Sequence, residues 1–298
     1  MSDSYVCHDH IVLLLSNDEL DNLPSFISSN FKTIEGGTHA GGSSRNRLII
    51  FSDGTYIELF TWINKDRPMH NSWLDKPSGL IDFALTTLRP FNSSENHRHL
   101  DMRLREEAGD SKLGVKYTKP QAGGRKRKDG LDVKWEITRP EYSNAAETPG
   151  DAAYPTTRID APFFCHDVTA RIVRVPFDDD TLTKHPCKAT GIAAVDVLVP
   201  PEKLSAYAAL YSSITGASPD QITDGGNKGV TFKLTTPTSQ GAGPLIRVRV
   251  PSSDHDHDWL RTRGIGIRSI DISVDGRKGH GRKTLAADGI GSTIAIVW

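Results

Sequence analysis

The stretch GGTHAGGSSRNRLIIFSDGTYIELF, residues 36–60, holds two apolar runs separated by a turn signal. Ser52, Asp53 and Gly54 form this signal, because an Asp-Gly pair between apolar runs is typical of a tight hairpin. The runs at 46–51 and 55–62 therefore predict two antiparallel strands. This hairpin is the feature from which the rest of the fold can be worked out.

The second strand of the hairpin carries an acidic residue among apolar ones. Tyr56, Glu58 and Phe60 share one face, because side chains along a strand point to alternate sides. A carboxylate between two aromatic rings on a buried face is costly unless a partner satisfies it. We therefore expect Glu58 to have a specific partner, and a metal ion and another polar side chain both remain candidates.

The residues before the hairpin predict a strand and a helix. The strand is the apolar run at 11–15, entered through His8-Asp9-His10. Apolar residues then recur at spacings of three and four through 20–31, which is typical of one helix face. Pro24 lies inside that pattern, so the helix is expected to bend or to begin late. The segment thus forms a unit of one strand, one helix and three strands (βαβββ).

The same unit recurs along the chain, so the sequence is expected to be built from repeats. Further opening strands are predicted at 79–87, 191–199 and 265–274, and helices follow the first two at 95–108 and 200–214. The unit that opens at 265 lacks its helix.

These units predict an α+β fold in which the four units pair into two halves. The first pair occupies 1–176 and the second 188–298, and the Pro- and Asp-rich segment 176–188 connects them. The stretch 139–160 has no periodicity and is expected to be an exposed loop.

Composition limits the class of protein. The 298 residues are 37% hydrophobic and 24% charged, which is a globular composition. The net charge of -1 provides no overall electrostatic attraction to nucleic acid or anionic membranes. No apolar run approaches the ~20 residues of a membrane-spanning helix, and no secretory signal is present. Three cysteines fit a reducing compartment. We expect a cytoplasmic protein that acts on a small molecule, with neither nucleic acid nor membrane as partner and with a homodimer as a possible assembly.

Four segments resemble a known family. They are DHIVLLL at 9–15, the hairpin stretch at 36–60, PFFCHDVTARIVRVP at 162–176 and the His-Pro step at 185–186, and together they cover most of residues 5–215. The sequence is similar to glyoxalase-like domain proteins of the vicinal-oxygen-chelate superfamily, of the type common in fungi and bacteria. The resemblance implies that paired βαβββ units curl into cups, with the last unit abbreviated.

In this superfamily, metal ligands come from the first and last strands of each unit. Carried over to this sequence, the resemblance implies His10 and Glu58 as ligands from the first unit and His166 from the second, with Asp82 a weaker candidate. His166 stands where the family usually has a carboxylate. Two imidazoles and a carboxylate suit Zn, Fe(II), Mn or Ni, and no nucleotide cofactor is indicated.

Two residues near the glycine-rich turn are candidate substrate contacts. His39 lies between glycine pairs and Asn46 follows closely, and the resemblance favours both as residues that reach into the cup. The alternative is a solvated turn in which Asn46 caps the backbone.

The second half is not expected to hold a metal. The positions that correspond to His10 and Glu58 are Ala194 and Arg247; alanine has no donor atom and a guanidinium group stays protonated. We therefore expect this half to be structural or to shape the substrate pocket.

For the other polar tracts, a structural or solvent-exposed position is the main expectation. Cys165 is a poor candidate nucleophile because it and His166 point to opposite faces of a strand. The tract at 254–258 (DHDHD) is expected to be an exposed loop, and the basic run at 124–128 a solvated hairpin tip, although it could bind an anionic substrate tail. His185 could lie at the pocket rim or in a rigid linker turn.

Three functions follow from these residues. The first is a metal-dependent enzyme of lyase, isomerase or dioxygenase type that acts on a small oxygenated molecule, with Glu58 and His10 catalytic. The second is a metal-free protein that binds or sequesters a small molecule in the same cup. The third is metal-free acid–base catalysis by His10 and Glu58, as in an isomerase or cyclase.

Overall fold

The computed structural model describes residues 5–66, 73–88, 90–107, 113–127, 129–142, 160–222, 228–239, 243–276, 279–286 and 291–298. Most of the stretch 139–160, predicted to be a loop, lies outside these residues. None of the described helices is long and apolar enough to cross a membrane.

The first unit follows the predicted order of one strand, a helical segment and three strands. Its elements are β1 (Val6–Leu14), α1 (Asn17–Asp21), α2 (Ser25–Ser28), β2 (Ile34–Thr38), β3 (Ser44–Ile50) and β4 (Tyr56–Trp62). The helix is split in two because Pro24 cannot continue α1 and instead precedes α2 as its N-cap.

The second unit has the same plan with one longer helix. Its elements are β5 (Gly79–Thr87), α3 (Ser93–Glu107), β6 (Val115–Tyr117), β7 (Gln121–Lys126), β8 (Asp132–Thr138), β9 (Pro140–Tyr142) and β10 (Phe163–Asp167). The short strands β6 and β9 pair with each other in a separate two-stranded sheet.

The connecting segment and the second half complete the chain. The connection holds α4 (Arg171–Arg174) and α5 (Asp180–Thr183); then follow β11 (Ala189–Leu198), α6 (Leu204–Thr215), β12 (Asp220–Ile222), β13 (Gly229–Lys233), β14 (Leu245–Arg249), α7 (Asp254–Arg263), β15 (Gly266–Val274), β16 (Arg282–Ala286) and β17 (Thr293–Val297). As predicted, no helix joins β15 to β16 among the described residues.

The first eight-stranded sheet curls until its edges meet. Its strand order is β2-β3-β4-β1-β5-β10-β8-β7, and an isolated bridge between His39 and Arg125 joins the two edges. The amide of Ala40 also donates to the carbonyl of Gly124 at 3.2 Å. The inner face of this sheet is the predicted cup, and the seam brings β2 and β7 to the same side of it.

The second sheet repeats the core of the first. Its order is β12-β13-β14-β11-β15-β17-β16, and β11 pairs parallel with β14 and antiparallel with β15, as β1 does with β4 and β5. The strands of the two large sheets come from 6–167 and 189–297 respectively. A single apolar cluster contains buried residues of both halves, so the two cups pack on one core.

The acidic tract at 254–258 differs from the prediction of a loop. It begins α7, where Ser253 caps the helix by accepting from the amide of Asp256. Asp256 is buried and forms ion pairs with Arg249 at 2.6 Å and Arg268 at 3.0 Å. Acidic side chains favour the first turn of a helix. The polar run by itself indicates an exposed loop.

Candidate active site

Glu58 lies at the centre of a buried polar cluster on the inner face of the first sheet. Its side chain is 8% exposed, and its two carboxylate oxygens face two different imidazole rings. Oε2 is 3.5 Å from Nε2 of His10, and Oε1 is 3.4 Å from Nε2 of His39. Asn46 donates from Nδ2 to Oε1 at 2.6 Å. The expectation that Glu58 has specific partners is therefore met by protein side chains.

His10 reaches Glu58 across parallel strands. β1 and β4 pair so that His10 lies beside Tyr56, and the imidazole stacks on the Tyr56 ring with 4.5 Å between centroids. The other ring nitrogen, Nδ1, is 3.4 Å from Oδ2 of Asp9. A register shift in β1 between His8 and His10 allows adjacent residues to meet in this way, because a bulge interrupts the alternation of side chains.

Asn46 lies on β3, which pairs with β4, and His39 directly follows β2, which pairs with β3. Nδ1 of His39 is 3.0 Å from the hydroxyl of Ser44, and its Nε2 is 3.3 Å from Nδ2 of Asn46. Asn46 also has a buried side-chain oxygen, Oδ1, without a hydrogen-bond partner. A Cβ at Gly36 would lie 1.9 Å from that oxygen, so only glycine fits beside Asn46.

The surroundings keep Glu58 ionised. Burial by itself raises the pKa of a carboxyl group, but the hydrogen bond and charge of His39, the charge of His10 and the hydrogen bond from Asn46 outweigh it. Together they lower the pKa of Glu58 to about 2. The carboxylate is thus charged, desolvated and oriented at neutral pH.

The cluster opens into a cavity of about 280 Å³. The cavity is large enough for a small organic molecule and is partly lined by the aromatic rings of Tyr56, Trp73, Trp135 and Phe163. Three arginines, Arg125, Arg139 and Arg174, also line it. Space for the Trp135 ring depends on Gly123, where a Cβ would lie 2.4 Å from the indole nitrogen.

A buried ion-pair network lies behind His10. Asp9 is fully buried and bonds Arg171 at 2.6 Å and Arg174 at 3.0 Å, and Asp167 bonds the same two guanidinium groups. Burial raises the pKa of Asp9, but the two arginines prevail and hold it well below its usual range. Arg174 also donates to the Tyr56 hydroxyl at 2.8 Å. The network fixes the ring of Tyr56, on which His10 stacks.

His166, predicted to be a third ligand, does not lie in the cluster. Cys165, its neighbour, lines the cavity, whereas His166 lies on the opposite face of β10 and its Nε2 is 3.1 Å from the Thr87 hydroxyl. Strand pairing determines which side chains of β10 face inward, because β10 lies parallel to β5 with Phe163 opposite Ala84. Cys165 is on the same face of β10 as Phe163, and His166 is on the other. Burial keeps the pKa of the Cys165 thiol well above its usual range, so this thiol is unsuited to nucleophilic attack.

Asp82 does not reach the cluster either. It lies opposite Val12 on β1, whereas the residue opposite His10 is Ala84. Its carboxylate accepts from the indole nitrogen of Trp73 at 2.8 Å and from the Phe83 amide at 2.8 Å. Burial raises the pKa of Asp82 to about 7.

The three metal ligands that the resemblance implied are not brought together. The strand positions that face the cavity hold His10 and Glu58 in the first unit but Ala84 and Cys165 in the second. Among the described residues, no group of three or more His, Cys, Asp or Glu side chains is arranged to hold a metal ion. The predicted centre of His10, Glu58 and His166 is therefore not assembled.

The second half has ion pairs where the first has its cluster. Ala194 and Arg247 occupy the positions of His10 and Glu58 by strand register, as predicted. Arg247 binds Asp196 at 3.1 Å and Asp271 at 2.6 Å.

His185 serves the connection between the halves. It accepts from the Lys32 amide at Nδ1 (3.1 Å) and donates to the Ile50 carbonyl from Nε2 (2.9 Å). It does not line the cavity of the candidate site.

Sequence reasoning missed three residues at or behind the site, Asp9, Arg139 and Arg174, and gave Arg125 only as an alternative contact for an anion. Arg125 belongs to the basic run predicted to be a solvated hairpin tip, and that holds for Lys126 and Arg127, which pair with Asp132 and Asp129. Arg125 instead is 8% exposed at the sheet seam. Gly123-Gly124 immediately before it was the available signal, because glycine pairs in a strand mark close approach.

Comparison with known proteins identifies the family and the fold of this chain. A model of the glyoxalase-like domain matches residues 8–215, well over half of the chain. No curated protein sequence matches significantly.

Solved structures share the fold at low sequence identity. A hypothetical protein from Staphylococcus aureus matches with 15% identity and a TM-score of 0.67 over 98% of each chain. A mutant of 4-hydroxymandelate synthase from Streptomyces coelicolor matches with 11% identity and a TM-score of 0.52 over 92% of this chain and 72% of its own. The curled sheets, the repeated units and the domain match together show that this chain belongs to the glyoxalase-like domain family, of the vicinal-oxygen-chelate fold.

Proposed function

We propose that the protein is an enzyme that moves protons on a small oxygenated organic substrate, of isomerase or lyase type, by acid–base catalysis at Glu58 and His10. The observation that carries the proposal is the ionised, buried carboxylate of Glu58 between two imidazoles at the wall of a cavity of about 280 Å³. Buried charges of this kind cluster at functional sites, because a purely structural position rarely needs one.

The distances suit a substrate that enters the cluster. The separation of 3.5 Å between His10 Nε2 and Glu58 Oε2 exceeds a good hydrogen bond, so a substrate group can contact both side chains. Catalytic hydrogen bonds are often long before substrate binds.

The catalytic roles proposed for Glu58 and His10 follow from the negative charge of the carboxylate and the N–H donor of the imidazole. Glu58 accepts a proton from a carbon next to a carbonyl group, and the electron pair of that C–H bond moves to the carbonyl oxygen. His10 donates a hydrogen bond to this oxygen and stabilises the enolate, and return of a proton to the opposite face of the same carbon re-forms the carbonyl group and completes an isomerisation by epimerisation. Because a pKa of about 2 makes Glu58 a weak base, the stabilisation by His10 is essential.

Asp9 and Asn46 support these roles. The Asp9 carboxylate lies 3.4 Å from Nδ1 of His10, longer than a good hydrogen bond, and places a negative charge behind the ring. The unpartnered Oδ1 of Asn46 is an acceptor for a substrate hydroxyl group. His39 is proposed to hold Glu58 and to contact substrate through the same ring.

Deuterium exchange tests the proposal without knowledge of the natural substrate. Pyruvate, hydroxyacetone and phenylpyruvate are incubated with protein in D₂O, and loss of the C–H signal next to the carbonyl is followed by proton NMR. We expect exchange above the buffer rate for at least one compound, lowered about 10²- to 10⁴-fold in Glu58→Gln and His10→Gln. Glu202→Gln, at an exposed position, is the matched control. Equal rates in the wild type and Glu58→Gln would overturn the assignment.

A further inference from the structure

Among the described residues, two guanidinium groups of the cavity take part in no ion pair. Arg125 and Arg139 both line it, and among the described residues no ion pair joins either to a carboxylate. Arg174, the third arginine of the cavity, is different because it is paired with Asp9 and Asp167. Charged side chains are rarely left desolvated and without an ion pair, so the buried Arg125 and the half-buried Arg139 on one cavity require an explanation.

Arg125 is held in place by the closure of the first sheet. Its backbone forms the bridge to His39, its side chain is buried, and Nη2 donates to the Arg174 carbonyl at 3.4 Å. Burial lowers the pKa of this guanidinium group, yet arginine remains protonated at any physiological pH. The seam therefore fixes a positive charge beside His39.

Arg139 is held by aromatic rings. Its guanidinium carbon is 5.6 Å from the centroid of the Trp73 ring and 5.4 Å from that of Phe163. Its backbone is fixed on both sides by Thr118, which accepts from the Arg139 amide at 3.0 Å and donates to its carbonyl at 2.9 Å. Both rings attract the cation, so they hold the positive charge of Arg139 at the cavity wall.

The charges at this end of the cup do not cancel. Asp9 and Asp167 balance Arg171 and Arg174 in the network behind His10. Glu58 is then the one carboxylate among the described cavity-lining residues, against Arg125 and Arg139. These three side chains are two cations and one anion, so one positive charge is left over among them, and one bound monoanion would compensate it.

Building on the proposed proton-transfer site, we infer that the substrate is a small organic carboxylate, whose carboxylate group is bound by Arg125 and Arg139 while its carbonyl end faces His10 and Glu58. A carboxylate fits the planar forks of guanidinium groups and carries the single charge that the cavity lacks. The apolar part of the substrate would lie against Trp73, Trp135 and Phe163. A phosphate group shares the recognition chemistry but brings more charge than the site needs.

Shape-matched pairs of probes test the inference by binding alone. Titrations use acetate and acetamide, benzoate and benzamide, phenylacetate and phenylacetamide, and inorganic phosphate, followed by ligand-observed NMR and by fluorescence of Trp73 and Trp135 at the cavity wall. We expect at least one carboxylate to bind about tenfold or more tightly than its amide. Arg125→Gln and Arg139→Gln should each lower that preference and leave amide binding unchanged. The exposed Arg105→Gln is the control, since its side chain is 79% exposed.

The outcomes separate this inference from the proposed function. Glu58→Gln should bind the carboxylate as tightly as the wild type or more so, because it removes a negative charge, even though its proton exchange is lost. Tighter binding of phosphate than of any carboxylate would overturn the choice of anion. Equal binding of acids and amides, no binding of any carboxylate, or a preference retained in both arginine variants would overturn the inference, whatever the exchange assay shows.

Discussion

Nε2 of His10 lies 3.5 Å from Oε2 of Glu58, on neighbouring parallel strands of a sheet that closes on itself. The two side chains share a buried wall with His39 and Asn46, and the carboxylate is charged in spite of its burial. This relationship links the fold to the proposed chemistry, because the parallel pairing of β1 and β4 brings the first and last strands of one unit together. The second half repeats the pairing, with Ala194 and Arg247 in these positions.

Replacement of Asp9 by Asn should destabilise the protein strongly. Asp9 compensates two buried guanidinium groups, and removal of one partner from a buried ion-pair network costs about 3–5 kcal/mol. Urea denaturation measures the free energy of unfolding. The exposed pair of Asp101 and Arg105 is the comparison, where Asp101→Asn should cost less than about 1 kcal/mol. Similar costs for the two variants would show that the buried network is not a stabilising unit.

Replacement of Gly36 by Ala should damage the site through Asn46. The new Cβ would lie 1.9 Å from Asn46 Oδ1, so Asn46 must move away from Glu58. We expect a loss of thermal stability and of proton exchange together. Gly266→Ala is the control, because its Cβ would meet Trp259 at an ordinary contact distance of 3.9 Å. A Gly36→Ala variant with wild-type exchange would show that the position of Asn46 does not matter.

Much of the fold could be predicted from the amino-acid sequence alone. Local apolar periodicity and turn residues encode the hairpin at residues 46–62, the repeat of βαβββ units and, over the part of the last unit that the structure describes, the lack of a helix after β15. The side of β4 on which Glu58 lies also follows from the period of two. These features depend on residues close together in the chain.

The rest of the site depends on long-range pairing and was not predictable in the same way. The alternation rule correctly put Cys165 and His166 on opposite faces, but only the pairing of β10 with β5 determines that Cys165 faces the cavity. Asp9 meets His10 because of a bulge in β1, which the residues do not signal. Arg125 enters the site because the sheet closes at His39.

Removal of His39 should raise the pKa of Glu58. Burial favours the protonated carboxyl, and the hydrogen bond and charge of His39 are the largest of the opposing effects that lower the pKa to about 2. In His39→Ala the carboxyl should therefore titrate at a higher pH, which carbon NMR of labelled Glu side chains detects. His280→Ala, at an exposed position, should leave the titration unchanged. A Glu58 pKa that stays near 2 in His39→Ala would contradict the described electrostatics.

Asp82 should make the protein less stable as the pH rises. Burial raises its folded-state pKa to about 7, above the value of about 3.9 in an unfolded chain, so the folded state binds the proton more tightly. Its contribution is full below pH of about 4 and is lost as the pH rises through about 7. Asp82→Asn should reduce this loss by on the order of 4 kcal/mol. Urea denaturation between these pH values measures it, and the exposed Asp101→Asn should keep the wild-type pH dependence.

The most direct test of the central claim, proton transfer by Glu58 and His10 without a metal ion, is the rate of deuterium exchange in protein treated with a chelator and then supplied in turn with Zn, Fe(II), Mn or Ni. The acid–base cluster predicts the same rate before and after chelation, no increase with any metal, and loss of exchange in Glu58→Gln under every condition. A rate that falls on chelation and returns with one of the metals would contradict it.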